Sequence, residues 1–243
     1  MTTTLRPFFT YFGGKWRAAK HYPAPSHATI IEPFAGAAGY ALRHPSHNVI
    51  LNDLDPVIAG TWDYIIRAPE AEILALPLYD GTWDTTDDLT LPQEARWLIG
   101  WWLNKGAARP CKKPSKWVRD METLGENAWG EGVRARIASQ QRHVRHWIIT
   151  NRDYSALPNM DAAWFVDPPY AEAGRAYKHG AQGIDFPALA DWCRSRNGQA
   201  VVCENFGADW LPFREFRDIK GTAGAHRSGV SKEVIWTSEE EAA

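Results

Sequence analysis

Thr29-Ile30-Ile31-Glu32-Pro33-Phe34-Ala35-Gly36-Ala37-Ala38-Gly39 is an extended apolar run that breaks directly into a turn of small residues, with a helical stretch, Tyr40 to Arg43, behind it. Such a turn lets a ligand approach the backbone, and the helix start that follows can face it. Downstream, Val49 to Leu51 reads as a second strand ending at Asn52-Asp53-Leu54-Asp55-Pro56, followed by a helix from about Val57 to Arg67. Asp55 before Pro56 is the natural N-cap of that helix. This leaves Asp53, 17 residues beyond Gly36 at a strand end, free to accept hydrogen bonds from the two hydroxyls of a ribose. Further strands are expected at Trp147 to Thr150, Ala163 to Val166, Gln199 to Glu204 and Glu233 to Thr237, with a helix over Phe186 to Arg196. Strands alternating with helices predict an α/β fold with a parallel sheet covered on both faces.

The 243 residues suit one large domain, and 44% hydrophobic with 23% charged residues is the composition of a globular chain. No apolar run is long enough to cross a bilayer, and the N-terminus lacks a secretory pattern, so a soluble, cytoplasmic protein without membrane contact is expected. Cys111, Cys193 and Cys203 form no CxxC pair and read as reduced thiols. His44/His47 and His143/His146 lack the pattern of a metalloprotease, and no metal site is expected. Thirteen tryptophans point to large apolar contacts or to surfaces that receive flat ligands.

The formal net charge of −2 hides an uneven distribution. Between Arg96 and His146 eleven Lys and Arg stand against four Asp and Glu, and the rest of the chain is acidic. Residues 78–130 also interrupt the strand and helix rhythm with Pro, Gly, Trp and Lys/Arg, and read as an insert between parts 1–77 and 131–243. A basic insert of this kind suits phosphate contacts, and equally a solvated helix face. Arg134, Arg136, Arg142 and Arg145 fall on a helix before the Trp147 strand, where a solvated outer face is expected.

The sharpest signal is Asp167-Pro168-Pro169-Tyr170, directly after the apolar strand Ala162 to Val166. Two prolines fix the backbone, so the Asp167 carboxylate and the Pro168 carbonyl are held as acceptors with little ordering cost. An aromatic ring two residues on can stack against a flat ligand. The set suits an exocyclic amino group on a planar base.

Together with Tyr11-Phe12-Gly13-Gly14-Lys15, Glu32-Pro33-Phe34-Ala35-Gly36, Asp53 and Asp153-Tyr154, this order of motifs resembles the Dam-type, alpha-class, S-adenosylmethionine-dependent DNA adenine-N6 methyltransferases. The resemblance covers most of the chain. It departs where the family usually has Trp (Tyr11), further Gly (Ala37, Ala38) and Phe (Tyr154), each change keeping size or aromatic class. It implies a Rossmann-like class I methyltransferase sheet, mostly parallel with an antiparallel C-terminal strand, and a mainly helical DNA-recognition insert at 78–130. It also implies S-adenosylmethionine as cofactor and no metal. Tyr11, Lys15 and Glu32 would then border the cofactor, with Phe34, Ala35 and Gly36 on its methionine portion. Asp53 would take its ribose, and Asp153 and Tyr154 its adenine. Asp167, Pro168, Pro169 and Tyr170 would be the catalytic set, working by direct transfer to a base rotated out of the duplex.

The expected partner is double-stranded DNA, bound by a monomer through Lys105, Arg109, Lys112, Lys113, Lys116, Arg119 and, in a loop at 221–229, Arg227. The alternatives are an amino methyltransferase acting on cytosine, RNA or a protein glutamine, and a catalytically silent DNA-binding module of the same fold.

Overall fold

The computed structural model describes residues 4–104, 106–120, 128–170, 183–220 and 230–241. Five parallel strands form most of one sheet: β1 (Thr29–Glu32), β2 (Asn48–Asn52), β3 (Ile148–Thr150), β4 (Ala162–Val166) and β5 (Gly198–Asn205). A hairpin of β6 (Arg214–Lys220) and β7 (Val230–Thr237) completes it, in the order β3-β2-β1-β4-β5-β7-β6. β7 inserts antiparallel beside β5, pairing Val201 with Thr237 and Asn205 with Glu233. The fold is therefore Rossmann-like α/β, mostly parallel, with its C-terminal strand antiparallel.

Period-two alternation divides the strand side chains between two cores. Ile30, Phe165, Val201, Cys203 and Ile235 face one side, where α1 (Pro56–Arg67), α3 (Gln93–Leu103) and α5 (Glu131–Gln141) contribute Trp62, Leu98 and Ile137. Ile31, Trp164, Val166, Val202 and Trp236 face the other, against Leu189, Ala190 and Cys193 of α6 (Phe186–Arg194). Short helices α2 (Glu70–Ala75), α4 (Lys116–Arg119) and α7 (Ser238–Glu241) complete the set among the described residues. Asp55 caps α1 by accepting from Val57 N, with Pro56 in the first turn, as the sequence leads one to expect. All three cysteines are free.

Two features go beyond the sequence reading. Helix α3 agrees with the mainly helical insert that the resemblance implies, but its place within 78–130 is unmarked, because Trp97-Leu98-Ile99-Gly100-Trp101-Trp102-Leu103 is apolar nearly all round. It packs on α1 within the core of the sheet: Trp101 Nε1 donates to Thr61 Oγ1 at 3.2 Å and Trp102 Nε1 to Phe8 O at 2.9 Å. The described residues of 78–130 thus share the main core, and most of the tryptophans among them are buried in it. Secondly, the α5 arginines are not simply a solvated face. Arg134 donates to Leu76 O (2.7 Å) and Arg136 to Pro7 O (2.9 Å), tying α5 to neighbouring segments, while Arg142 and Arg145 lie beyond its last residue, Arg142 exposed and Arg145 donating to Gln141 Oε1 at 2.9 Å.

Gly198 starts β5 at φ +96°, where a Cβ would lie 2.3 Å from Ala162 O across the β4–β5 pair. Both the backbone strain and the clash penalise any side chain. Gly198→Ala is expected to lower unfolding free energy by about 2 kcal/mol or more in urea titration.

Candidate active site

After β1 the chain moves to β2 and β3 on one side, and β4 leads to β5 on the other, so the carboxyl ends of β1 and β4 flank the point where strand order reverses. A crevice opens at such a point in open α/β sheets. Here it is a cavity of about 460 Å³, within the range of small-molecule sites. Tyr11, Lys15, Glu32, Phe34, Ala35, Gly36, Asp53, Asp153, Tyr154, Asp167 and Pro169 all line it. Pro168 and Tyr170 are not in that lining.

The turn after β1 is built by backbone geometry and by Asp53. Gly36 adopts φ +46° and Ala38 φ +51°, and a Cβ on Gly36 would stand 3.1 Å from the Tyr11 ring. Asp53 Oδ2 accepts from Gly36 N and Oδ1 from Asp55 N, both at 2.9 Å, so this carboxylate shapes the turn as well as facing the cavity. Burial pushes Asp53 up to about 6, against the pull of those two N–H donors. Glu32 is buried and accepts from Ala41 N at 2.6 Å; burial raises it to about 8. Gly39 admits the segment that carries Lys15, since a Cβ there would meet Trp16 N at 2.6 Å and Lys15 C at 2.9 Å. On the far wall Phe34 and Tyr154 rings lie 5.3 Å apart, and Asp153 caps its own turn by accepting from Ser155 N at 2.9 Å.

At the β4 end a charged cluster forms. Lys15 Nζ lies 2.9 Å from Asp167 Oδ1 and 3.5 Å from Glu233 Oε1, and 4.6 Å over the Tyr170 ring. Tyr170 OH donates to Glu233 Oε1 at 2.7 Å and Tyr22 OH to Glu233 Oε2 at 2.6 Å. Burial raises Asp167 to about 6, with the Lys15 ammonium opposing and the Glu233 carboxylate adding to the rise. Tyr170 is accordingly anchored through its hydroxyl, a constraint not visible in the sequence. Glu233 and Tyr22 were not foreseen at all. The last strand offers no local signal, because Val234 and Trp236 are as buried as Glu233 and Ile235, so both of its faces are covered.

The seven cations expected to meet DNA fall into three groups. Lys105 and Arg227, with the rest of the loop 221–229, lie outside the described residues. Lys112 pairs with Asp87 and Lys116 with Asp120, each at 2.6 Å, and Arg119 donates to Pro114 O at 3.0 Å. Arg109 and Lys113 are exposed, as is Trp117. Surface pairs like these are worth little to stability. The loop bearing them abuts the cavity wall, where Phe12 N donates to Ala107 O at 3.3 Å. Among the described residues no cluster of three or more His, Cys, Asp or Glu is placed to hold a metal, and no helix is long and apolar enough to cross a membrane.

No family model matches the chain, and no curated protein matches it in sequence. Among solved structures it is similar to HI0767 of Haemophilus influenzae, provisionally described as a methylase, at 10% identity and TM-score 0.33, over 86% of this chain and 78% of that one. It is also similar to yhhF of Escherichia coli, provisionally described as a methyltransferase, at 11% identity and TM-score 0.30, over 85% of this chain and 73% of that one.

A carboxyl raised above its unfolded value of 3.8 binds its proton more tightly in the folded protein, so folding stability falls as pH rises from about 4 to about 6. Asp167→Asn is expected to show a shallower decline than wild type across that window in urea titrations at successive pH values.

Proposed function

We propose that the protein is an S-adenosylmethionine-dependent methyltransferase acting on the N6 amino group of adenine in double-stranded DNA. The observation that carries this reading is that the Asp167 elbow, the Phe34–Gly36 turn and Asp53 open on one cavity. The donor set supports the cofactor: Asp53, Asp55, Asp153 and Asp167 line the cavity against Lys15 and Arg152, and Glu32, raised by burial to about 8, adds a neutral carboxyl at neutral pH. An acidic wall suits a ligand with a sulfonium, an ammonium and ribose hydroxyls, and repels a pyrophosphate. Asp53 is the acceptor for the hydroxyls, Phe34 and Tyr154, packed on each other, offer one aromatic wall to a flat ring, and the Gly36 turn leaves room for a chain passing close to the backbone.

When bound, S-adenosylmethionine supplies an electrophilic methyl group. The rest is done by the chain. An adenine amino nitrogen is a poor nucleophile because its lone pair is delocalised into the ring. Its two N–H groups donating to the Asp167 carboxylate and the Pro168 carbonyl would favour a pyramidal nitrogen and stabilise the charge that develops on it. Asp167 is ionised above about pH 6 and so accepts at neutral pH. Lys15, which also lines the cavity, pairs with that carboxylate at 2.9 Å. The prolines keep both acceptors fixed, so that positioning supplies much of the rate. A base in a duplex must be rotated out to reach them, at a cost of a few kcal/mol.

Nucleoside analysis of duplex DNA incubated with methyl-labelled S-adenosylmethionine tests the reading, which expects labelled N6-methyladenine. Methylcytosine or labelled RNA as the sole product would reassign the substrate, and DNA binding without any transfer would make the protein a silent binding module. Asp167→Ala is expected to lower kcat by about a hundredfold or more while cofactor binding, measured by calorimetry, persists. For the DNA surface, replacing Arg109 and Lys113 together with Ala should reduce the slope of log K against log salt by about 2, whereas Lys112→Ala, already neutralised by Asp87, should change it less.

A further inference from the structure

Glu233 stands on β7 opposite Asn205 of β5 and Arg217 of β6, and is 3% exposed. Three donors converge on this one carboxylate: the hydroxyls of Tyr22 and Tyr170, and the Lys15 ammonium. Each comes from a different part of the chain, Lys15 from the N-terminal segment, Tyr22 from the stretch before β1 and Tyr170 from the elbow after β4. Tyr22 is itself locked by rings, stacked on Phe216 at 4.8 Å and tilted against Phe165 at 5.1 Å. An apolar side chain in this place would serve the core at least as well, since burying a charge is costly even when it is paired. The convergence therefore gives Glu233 a job of orientation.

We infer that Glu233 is a positioning residue for the methyl transfer, holding Lys15 and Tyr170 in register so that the Asp167 carboxylate faces the cavity in its working orientation. Glu233 does not line the cavity and touches no reacting group. It acts through two neighbours of Asp167: Lys15 bridges both acids, and Tyr170 spans the gap from the elbow to β7. The ionisable groups around it are Lys15, Asp167, Tyr22, Tyr170 and, on β5, Cys203, with Arg217 alongside on β6. Its negative charge raises Asp167, and the Tyr170 hydroxyl lowers it. Removing one or the other therefore moves the titration of Asp167 in opposite directions.

The inference rests on the methyltransferase reading, and two measurements keep the pair separable: kcat and KM from pH 5 to 9, and the carbon-13 carboxylate titration of Asp167 in cofactor-free protein, assigned with Asp167→Asn. Glu233→Gln preserves shape and is expected to lower plateau kcat by roughly tenfold or more with KM for DNA and cofactor within about twofold. In the same variant Asp167 should titrate at lower pH than in wild type, carrying the acid limb of kcat with it. Tyr170→Phe should lower kcat comparably while Asp167 titrates at higher pH, and the double variant should lose less than the product of the two. Wild-type kcat and wild-type titration in Glu233→Gln would overturn the inference. So would a loss of kcat that only follows a lower melting temperature while the titration stays in place. A wild-type protein that transfers no methyl group would instead sink the functional reading, and the carboxylate titration would still decide whether Glu233 governs Asp167.

Discussion

The parallel pairing of β1 with β4, with the chain leaving them toward opposite edges of the sheet, is the constraint on which the rest depends. It sets two strand ends side by side with no crossover helix between them, and it opens space above the sheet for a ligand. Glu32 ends β1, and Asp167 follows β4 directly. Without this pairing the small-residue turn and the proline elbow would be separate loops, and Asp53 at the end of β2 would have no turn to brace.

Electrostatics then gives the cavity its character. Glu32, Asp53 and Asp167 are all raised by burial, so the site pays a desolvation cost that only a cation or a set of hydroxyl and amino donors can offset. Lys15 meets part of that need at the elbow, shared between Asp167 and Glu233. Strained or costly groups of this kind cluster at working sites, because a core built for stability alone would have no use for them. The exposed Arg109 and Lys113 lie on the loop that touches Phe12, beside the cavity and outside its lining.

Much of this was legible in the residues. Ile30-Ile31 and Ala163 to Val166 are short apolar runs stopped by unmistakable turn chemistry, and Asp55-Pro56 announces a helix start. The structure gathers all nine residues expected at the cofactor around one cavity: seven lie at or just after a strand end, where the sheet order brings them together, and Tyr11 and Lys15 come from the N-terminal segment. What the residues concealed is equally physical. Helix α3 is buried on most sides, so its apolar pattern has no period to detect. Strand β6, Arg214-Glu215-Phe216-Arg217-Asp218-Ile219-Lys220, is an edge strand dense with charge and looks like a surface loop. Glu233 reads as an ordinary polar position in a last strand, and only its long-range contacts with Tyr22, Lys15 and Tyr170 reveal an interior acid. Pairings on the scale of 200 residues, such as Tyr22 with Glu233, leave no local trace.

The claim that matters most is that the acidic cavity at the strand switch selects a sulfonium nucleoside. Parallel calorimetric titrations of S-adenosylmethionine and of a nicotinamide dinucleotide into the purified protein test it directly. Saturable binding of the first at one site per chain, with no heat from the second, is what the account predicts; binding of the dinucleotide with none of S-adenosylmethionine would contradict it.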